Sequence, residues 1–197
     1  MTIILASASP RRQELLRNAG IAFTVQASEI EELPIAGESP QACVERLALQ
    51  KARAVSRRQP TAHILGADTM VVVDGENLGK PRDQRDAERM LRLLSGHTHA
   101  VITGVCLLGP ELRTDISQLP TGFEDIRSER TLVSMSALTD EDIRQYVATG
   151  EPADKAGGYA IQGMASRWIH RIEGDYFNVV GLPVSLVYRM LRAHGAV

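Results

Sequence analysis

The stretch IILASASPRRQELLRNAG, residues 3–20, changes its period halfway, and that change decides the fold class. Ile3, Ile4, Leu5 and Ala6 are a short continuous apolar run, the pattern of a buried strand. Ser9 followed by Pro10 is a helix start: the serine oxygen can accept a first-turn N–H, and a proline at the first helical position has no N–H of its own to leave unsatisfied. The helix ends at Gly20. A strand that turns straight into a helix exposes free N–H groups and the positive end of the helix dipole, and here Ser7, Ser9, Arg11 and Arg12 surround them. This is a place for an anion. Consecutive helical residues point about 100° apart, so the two guanidinium groups can grip different phosphates of one chain but cannot share a face. The alternative is a solvated basic first turn, which the dipole disfavours.

Working outward, the same alternation continues. Ser39 and Pro40 repeat the start signal for a helix to about Arg58, with Val44, Leu47, Ala48, Ala52 and Val55 on its inner face. His63 to Ala67 and Met70 to Val73 are strand-like, and Asp74-Gly75 predicts a hairpin returning through Leu78. Asp83 caps a helix to about Leu94, closed by Gly96, and Ala100 to Leu108 is a strongly buried strand. From Gly109 to about Glu129 the pattern dissolves into polar, Gly and Pro residues, which predicts a surface insertion. Strand character resumes at Thr131 to Ala137 and at Trp168 to Ile172; Thr139 with Asp142 forms a capping box for a helix through Val147, and a last helix covers Val184 to Arg192. Interleaved strands and helices predict an α/β fold with a mixed twisted sheet, and 197 residues suit a single domain, 1–197, with two lobes.

A formal net charge of -2 argues against a nucleic-acid duplex as partner, since phosphate backbones recruit a marked basic excess. Cys43 and Cys106 sit far apart with no metal-knuckle spacing and read as buried small hydrophobes in a reducing compartment. The opening apolar run is too short for a signal peptide and has no basic residue before it, and no apolar run reaches the ~20 residues of a membrane helix. The expectation is a cytoplasmic protein without a membrane partner.

Several charged residues stand where charge needs a reason. Lys51 lies four residues after Leu47, on the apolar stripe of its helix, so its ammonium either meets an anion or snorkels out at the edge. Asp68 follows the apolar run His63 to Ala67, where a carboxylate can bind metal or act as a base. Glu31 and Glu32 form a loop pair, one of which can join Asp68 around magnesium or manganese, hard cations that favour oxygen. Lys80-Pro81 occupies a loop, and Asp154-Lys155 leads into the glycine-rich AGGYAIQG around Gln162. GxxxxGK[ST], HExxH and GxSxG are all absent, which removes the standard P-loop, zincin and nucleophile-elbow chemistries.

Taken together, LASASPRRQELL, IEE near residue 31, RLALQKA, LGADT, GKPRD, the SG-T near 95, DKAGGYAIQG and VVGLP resemble, in order and nearly end to end, the Maf family of nucleoside triphosphate pyrophosphatases. The resemblance implies a two-lobed α/β fold of the inosine-triphosphatase type with a central cleft, often in homodimers. It implies that a nucleoside triphosphate and water give a monophosphate and pyrophosphate, with a divalent metal, Mg2+ or Mn2+. Carried over by motif, Asp68 would be the base that activates water and, with Glu32, a metal ligand. Ser7, Ser9, Arg12, Lys51 and Lys80 would bind the phosphates. Arg11, Thr69 and Gln162 look like the dTTP/UTP branch of that family; a glutamine can accept N3–H and donate to a carbonyl of uracil or thymine, which is the contact the resemblance implies for Gln162. The alternatives are a 7-methyl-GTP or broader-range pyrophosphatase, and a non-catalytic nucleotide-binding regulator of cell division.

Overall fold

In the computed structural model, which describes residues 3–33, 35–110 and 122–197, the opening strand and helix form where their signals stand. Ile3–Leu5 (β1) is buried, and Pro10–Asn18 (α1) starts on Ser9, whose hydroxyl accepts the Arg12 N–H at 3.5 Å. Thr24–Val25 (β2), Pro40–Ser56 (α2), His63–Val73 (β3), Glu76–Leu78 (β4), Gln84–Leu94 (α3) and Thr98–Leu108 (β5) follow. Glu124–Met135 (β6), Asp140–Ala148 (α4), Ile169–Glu173 (β7), Tyr176–Val180 (α5) and Val184–Ala193 (α6) complete the order, with 3-10 turns at Glu151–Asp154, Ala156–Gly158 and Met164–Trp168. Among the described residues the strands form one mixed sheet in the order β2-β1-β3-β5-β6-β7, with β4 on β3. β1 runs parallel to β2 and β3, whereas β4 on β3 and β7 on β6 are antiparallel. Among the described residues no helix is long and apolar enough to cross a membrane.

Two sequence expectations need correction. The strands expected at His63 to Ala67 and Met70 to Val73 are one strand of 11 residues, because Asp68 and Thr69 do not interrupt it. Residues 124–129, expected inside a surface insertion, are the first half of β6; they are exposed or half-buried and mostly polar, so their composition hid a strand. Residues 111–121 of that expected insertion lie outside the described residues. The Asp74-Gly75 hairpin forms as expected, with both residues at positive φ, 48° and 81°.

The chain divides into two compact units, and β3, β5 and β6 contribute residues to both. The first comprises Met1–Asp68, Thr103–Glu129 and Gly181–Val197. Its core gathers Ile4 and Ala6, Ala48, Ala52 and Val55 of α2, Ile64, and Cys106 with Leu108. The backbone of α2 lies directly on the sheet at two glycines: a Cβ at Gly66 would stand 2.2 Å from the Ala48 carbonyl oxygen, and one at Gly104 would stand 2.3 Å from that of Val44. Strand residues two apart share a face, so Ile64, Gly66 and Asp68 all look toward α2. Both cysteines are free and buried, and burial pushes the Cys106 thiol up to about 12.

The second unit comprises Thr69–Ile102 and Arg130–Val180. α3 buries Ala87, Met90, Leu91 and Leu94, the face its periodicity predicts. His99, 1% exposed, meets the Tyr159 hydroxyl at 2.7 Å, and burial pulls its imidazole from 6.5 to about 4. The folded chain therefore refuses a proton that the unfolded chain accepts. The stability this contributes is complete above pH 6.5 and is lost as pH falls toward about 4. Urea titrations across that window should show a loss of about 1.4 kcal/mol per pH unit, and His99→Gln should flatten it. An unchanged slope in that variant would remove His99 as the cause.

Candidate active site

The first unit concentrates charge around one lysine. Lys51 Nζ donates to Asp68 Oδ1 at 2.5 Å and lies 2.7 Å from Glu32 Oε1. The anion that its place on an apolar stripe demands is thus supplied by β3 and by the loop before α2. Lys51 and Asp68 side chains are each 11% exposed, while Glu32 is 50% exposed, so the pair inside is capped by a carboxylate at the surface. The glycine contact fixes this pairing: Lys51 stands one turn beyond Ala48, and Asp68 two residues beyond Gly66.

Arg12 is equally buried. Its Nε donates to the Gly181 carbonyl at 2.8 Å, and its Nη1 to the Ala67 carbonyl at 2.7 Å and the Ser7 hydroxyl at 3.3 Å. Burial lowers its guanidinium below the ordinary arginine value, and the nearby charges of Asp68 and Glu32 act in the opposite sense. Arg12 thereby ties the turn after β1 to the residue preceding Asp68. Ser7 also accepts the Ser9 N–H at 3.2 Å, and Ser9 accepts that of Arg12. Both hydroxyls act as acceptors in these contacts, so their protons can be donated to a phosphate oxygen. Arg11 is half-buried in the first turn of α1.

The loop that carries Glu32 has a support that sequence reasoning missed. Arg46 donates to both oxygens of Glu38 at 2.7 Å and to the Leu33 carbonyl at 3.2 Å. Its hydrogen bonds hold the Glu38 carboxyl below the usual carboxylate range. Nothing local signals this contact, because the partners meet only when the loop folds back on α2.

The second unit holds the remaining predicted positions. Thr69 is half-buried on β3 and, next to Asp68 in the strand, points to the opposite face. Lys80 is exposed in the loop after β4, where the Gly79 carbonyl accepts the Gly157 N–H at 3.0 Å, tying GKPRD to the glycine-rich segment. Asp86 was also missed: its carboxylate accepts the Arg82 N–H at 3.1 Å and the Arg89 Nε at 3.0 Å, which fixes the same loop. Gln162 is exposed in a turn in which the Gly163 N–H reaches the Ala160 carbonyl at 3.0 Å.

Among the described residues no three His, Cys, Asp or Glu side chains gather to hold a metal. Glu32 and Asp68 nevertheless bring carboxylate oxygens to one point, the Lys51 ammonium. Magnesium is commonly held by one or two carboxylates with the substrate phosphates and water completing its shell, so this donor pair fits a divalent cation. A helix N-terminus flanked by Ser7, Ser9 and Arg12, a buried lysine and two converging carboxylates are groups of the kind that reactions on a polyphosphate use.

A family model described as Maf-like protein matches residues 2–194. The chain is 53% identical over 195 residues to a protein of Koribacter versatilis named dTTP/UTP pyrophosphatase, covering 99% of this chain and 95% of that one. It is also 53% identical over 194 residues to a protein of the same name from Symbiobacterium thermophilum, covering 98% and 94%. Among solved structures, the Ham1 protein of Staphylococcus aureus shares the fold, with a TM-score of 0.53 and 13% identity across 98% of this chain and 100% of that one. With its sequence matched almost from end to end, the chain belongs to the Maf family.

Proposed function

We propose that this protein hydrolyses dTTP and UTP to the nucleoside monophosphate and pyrophosphate. The reading is supported most by the convergence of Asp68 and Glu32 on Lys51, beside a helix N-terminus built for anions, in a chain whose close relatives carry that activity in their names. Asp68 takes the proton of a water whose oxygen attacks the α-phosphorus. The bond from that phosphorus to the bridging oxygen breaks, and pyrophosphate leaves with its electrons. Lys51 engages Asp68 through Oδ1, and a carboxylate has a second oxygen that can receive the proton.

The other residues position and neutralise. Ser7 and Ser9 donate hydroxyl protons to phosphate oxygens, and Arg12 supplies fixed positive potential beneath the turn. Lys51 and Lys80 offset the charge of the triphosphate. Glu32 and Asp68 would hold Mg2+ or Mn2+, which when bound neutralises phosphate charge and supplies Lewis acidity. Gln162, with Arg11 and Thr69, selects the pyrimidine base.

A panel of UTP, dTTP, CTP, GTP and 7-methyl-GTP with Mg2+ or Mn2+, scored for monophosphate and pyrophosphate, tests the proposal. UTP and dTTP should turn over fastest, and EDTA should stop both. Preference for 7-methyl-GTP would move the chain to another branch of the family, and binding of UTP without turnover would make it a non-catalytic regulator.

A further inference from the structure

We propose that Tyr146 and Glu151 are positioning residues that hold the turn carrying Gln162 from both sides and thereby set base selectivity. This rests on the reading that Gln162 contacts the base. The Tyr146 hydroxyl accepts the Ala160 N–H at 3.0 Å and donates to Glu151 Oε1 at 2.6 Å. The other oxygen of Glu151 accepts the Met164 N–H at 3.3 Å. One Tyr–Glu pair thus binds the amides that flank the 160–163 turn, in which Ile161 points inward and Gln162 outward.

The pair is itself held rigidly. Tyr146 is fully buried on α4, and its ring meets that of Trp168 edge-on at 5.4 Å. Burial first, and the bond to Glu151 second, raise the Tyr146 phenol above its ordinary value, so it remains a donor. The Lys155 ammonium holds the Glu151 carbonyl at 2.7 Å. The carboxylate also lies flat against the turn: a Cβ on Gly163 would come within 2.3 Å of Glu151 Oε1.

Such a hold has a chemical purpose at this residue. A glutamine amide can present its donor and acceptor in either order, so it can pair with uracil or with cytosine. Discrimination between them depends on where the backbone holds the amide, and a displacement of about 1 Å can cost as much as 10²-fold.

The test is the ratio of kcat/KM for UTP to that for CTP. Tyr146→Phe and Gly163→Ala should each lower the ratio about tenfold, mostly through a raised KM for UTP. Gly163→Ala keeps the experiment decisive if Tyr146→Phe folds poorly, because the atoms it displaces are the movable end of a glutamate side chain. In a Gln162→Ala background, Tyr146→Phe should lower the ratio no further, as expected of a residue that acts through Gln162. An unchanged ratio in both single variants, or full additivity in the double, overturns the inference while Gln162→Ala still abolishes selectivity. If Gln162→Ala leaves the ratio unchanged, the reading of Gln162 fails, and the inference fails with it.

Discussion

Asp68→Asn is expected to lower kcat for UTP by about 10³-fold, the middle to upper range of what a general base contributes, while the protein stays folded. The amide has the shape of the carboxylate, and its oxygen can still accept from Lys51, which keeps Glu32 as a second partner. What is lost is the ability to take a proton and to lend charge to a cation. Circular dichroism and a thermal melt separate this from unfolding. Near wild-type turnover in a folded variant would sink the assignment of Asp68 as base.

Gly104→Ala is the change expected to cost most stability, on the order of 3 kcal/mol. The new Cβ would stand 2.3 Å from the Val44 carbonyl oxygen, 2.4 Å from its carbonyl carbon and 2.6 Å from the Glu45 nitrogen. All three are backbone atoms of α2, so no rotamer relieves the clash and the helix itself has to move. Gly66→Ala meets the Ala48 carbonyl in the same way. Because α2 carries Lys51, the retreat should also stretch the contact with Asp68 and lower kcat, by as much as about 10²-fold for a shift near 1 Å. Gly79, with nothing within 4 Å of an added Cβ, is the control and should stay within about 0.5 kcal/mol of the parent in urea melts. Parent-like stability in Gly104→Ala would show that α2 does not rest on the sheet as described.

What could be foreseen from the residues was what local chemistry determines. Ser9-Pro10 and Ser39-Pro40 start helices, Asp74-Gly75 turns a hairpin, and Thr139 with Asp142 closes a capping box, because each acts within a few residues of itself. Elements that depend on neighbours were missed. β2 is two exposed residues whose only signal is pairing with β1, and the first half of β6 is too polar to announce a strand. Asp68 looked like a strand end because a charge inside a strand is costly, and it is the cations Lys51, 17 residues away, and Arg12 that offset this one.

The candidate site divides along the same line. That Lys51 either meets an anion or snorkels out was legible in its helical phase; that Glu32 and Asp68 both pair with it was not. Arg46 with Glu38 and Tyr146 with Glu151 meet only where the chain folds back on a helix and left no pattern in the sequence, whereas Asp86 stands at helical spacing from Arg82 and Arg89 and could have been read. Arg12 illustrates both halves. Its place in the first turn of α1 could be read, whereas its bonds to the Ala67 and Gly181 carbonyls belong to tertiary structure alone.

In the proposed mechanism, water activated by Asp68 attacks the α-phosphorus of a pyrimidine triphosphate, so the solvent oxygen ends in the monophosphate. Turnover of UTP in water enriched in oxygen-18, with both products weighed by mass spectrometry, reads the point of attack. UMP should carry one heavy oxygen and pyrophosphate none. Label in pyrophosphate, or UDP with inorganic phosphate as products, would contradict the mechanism.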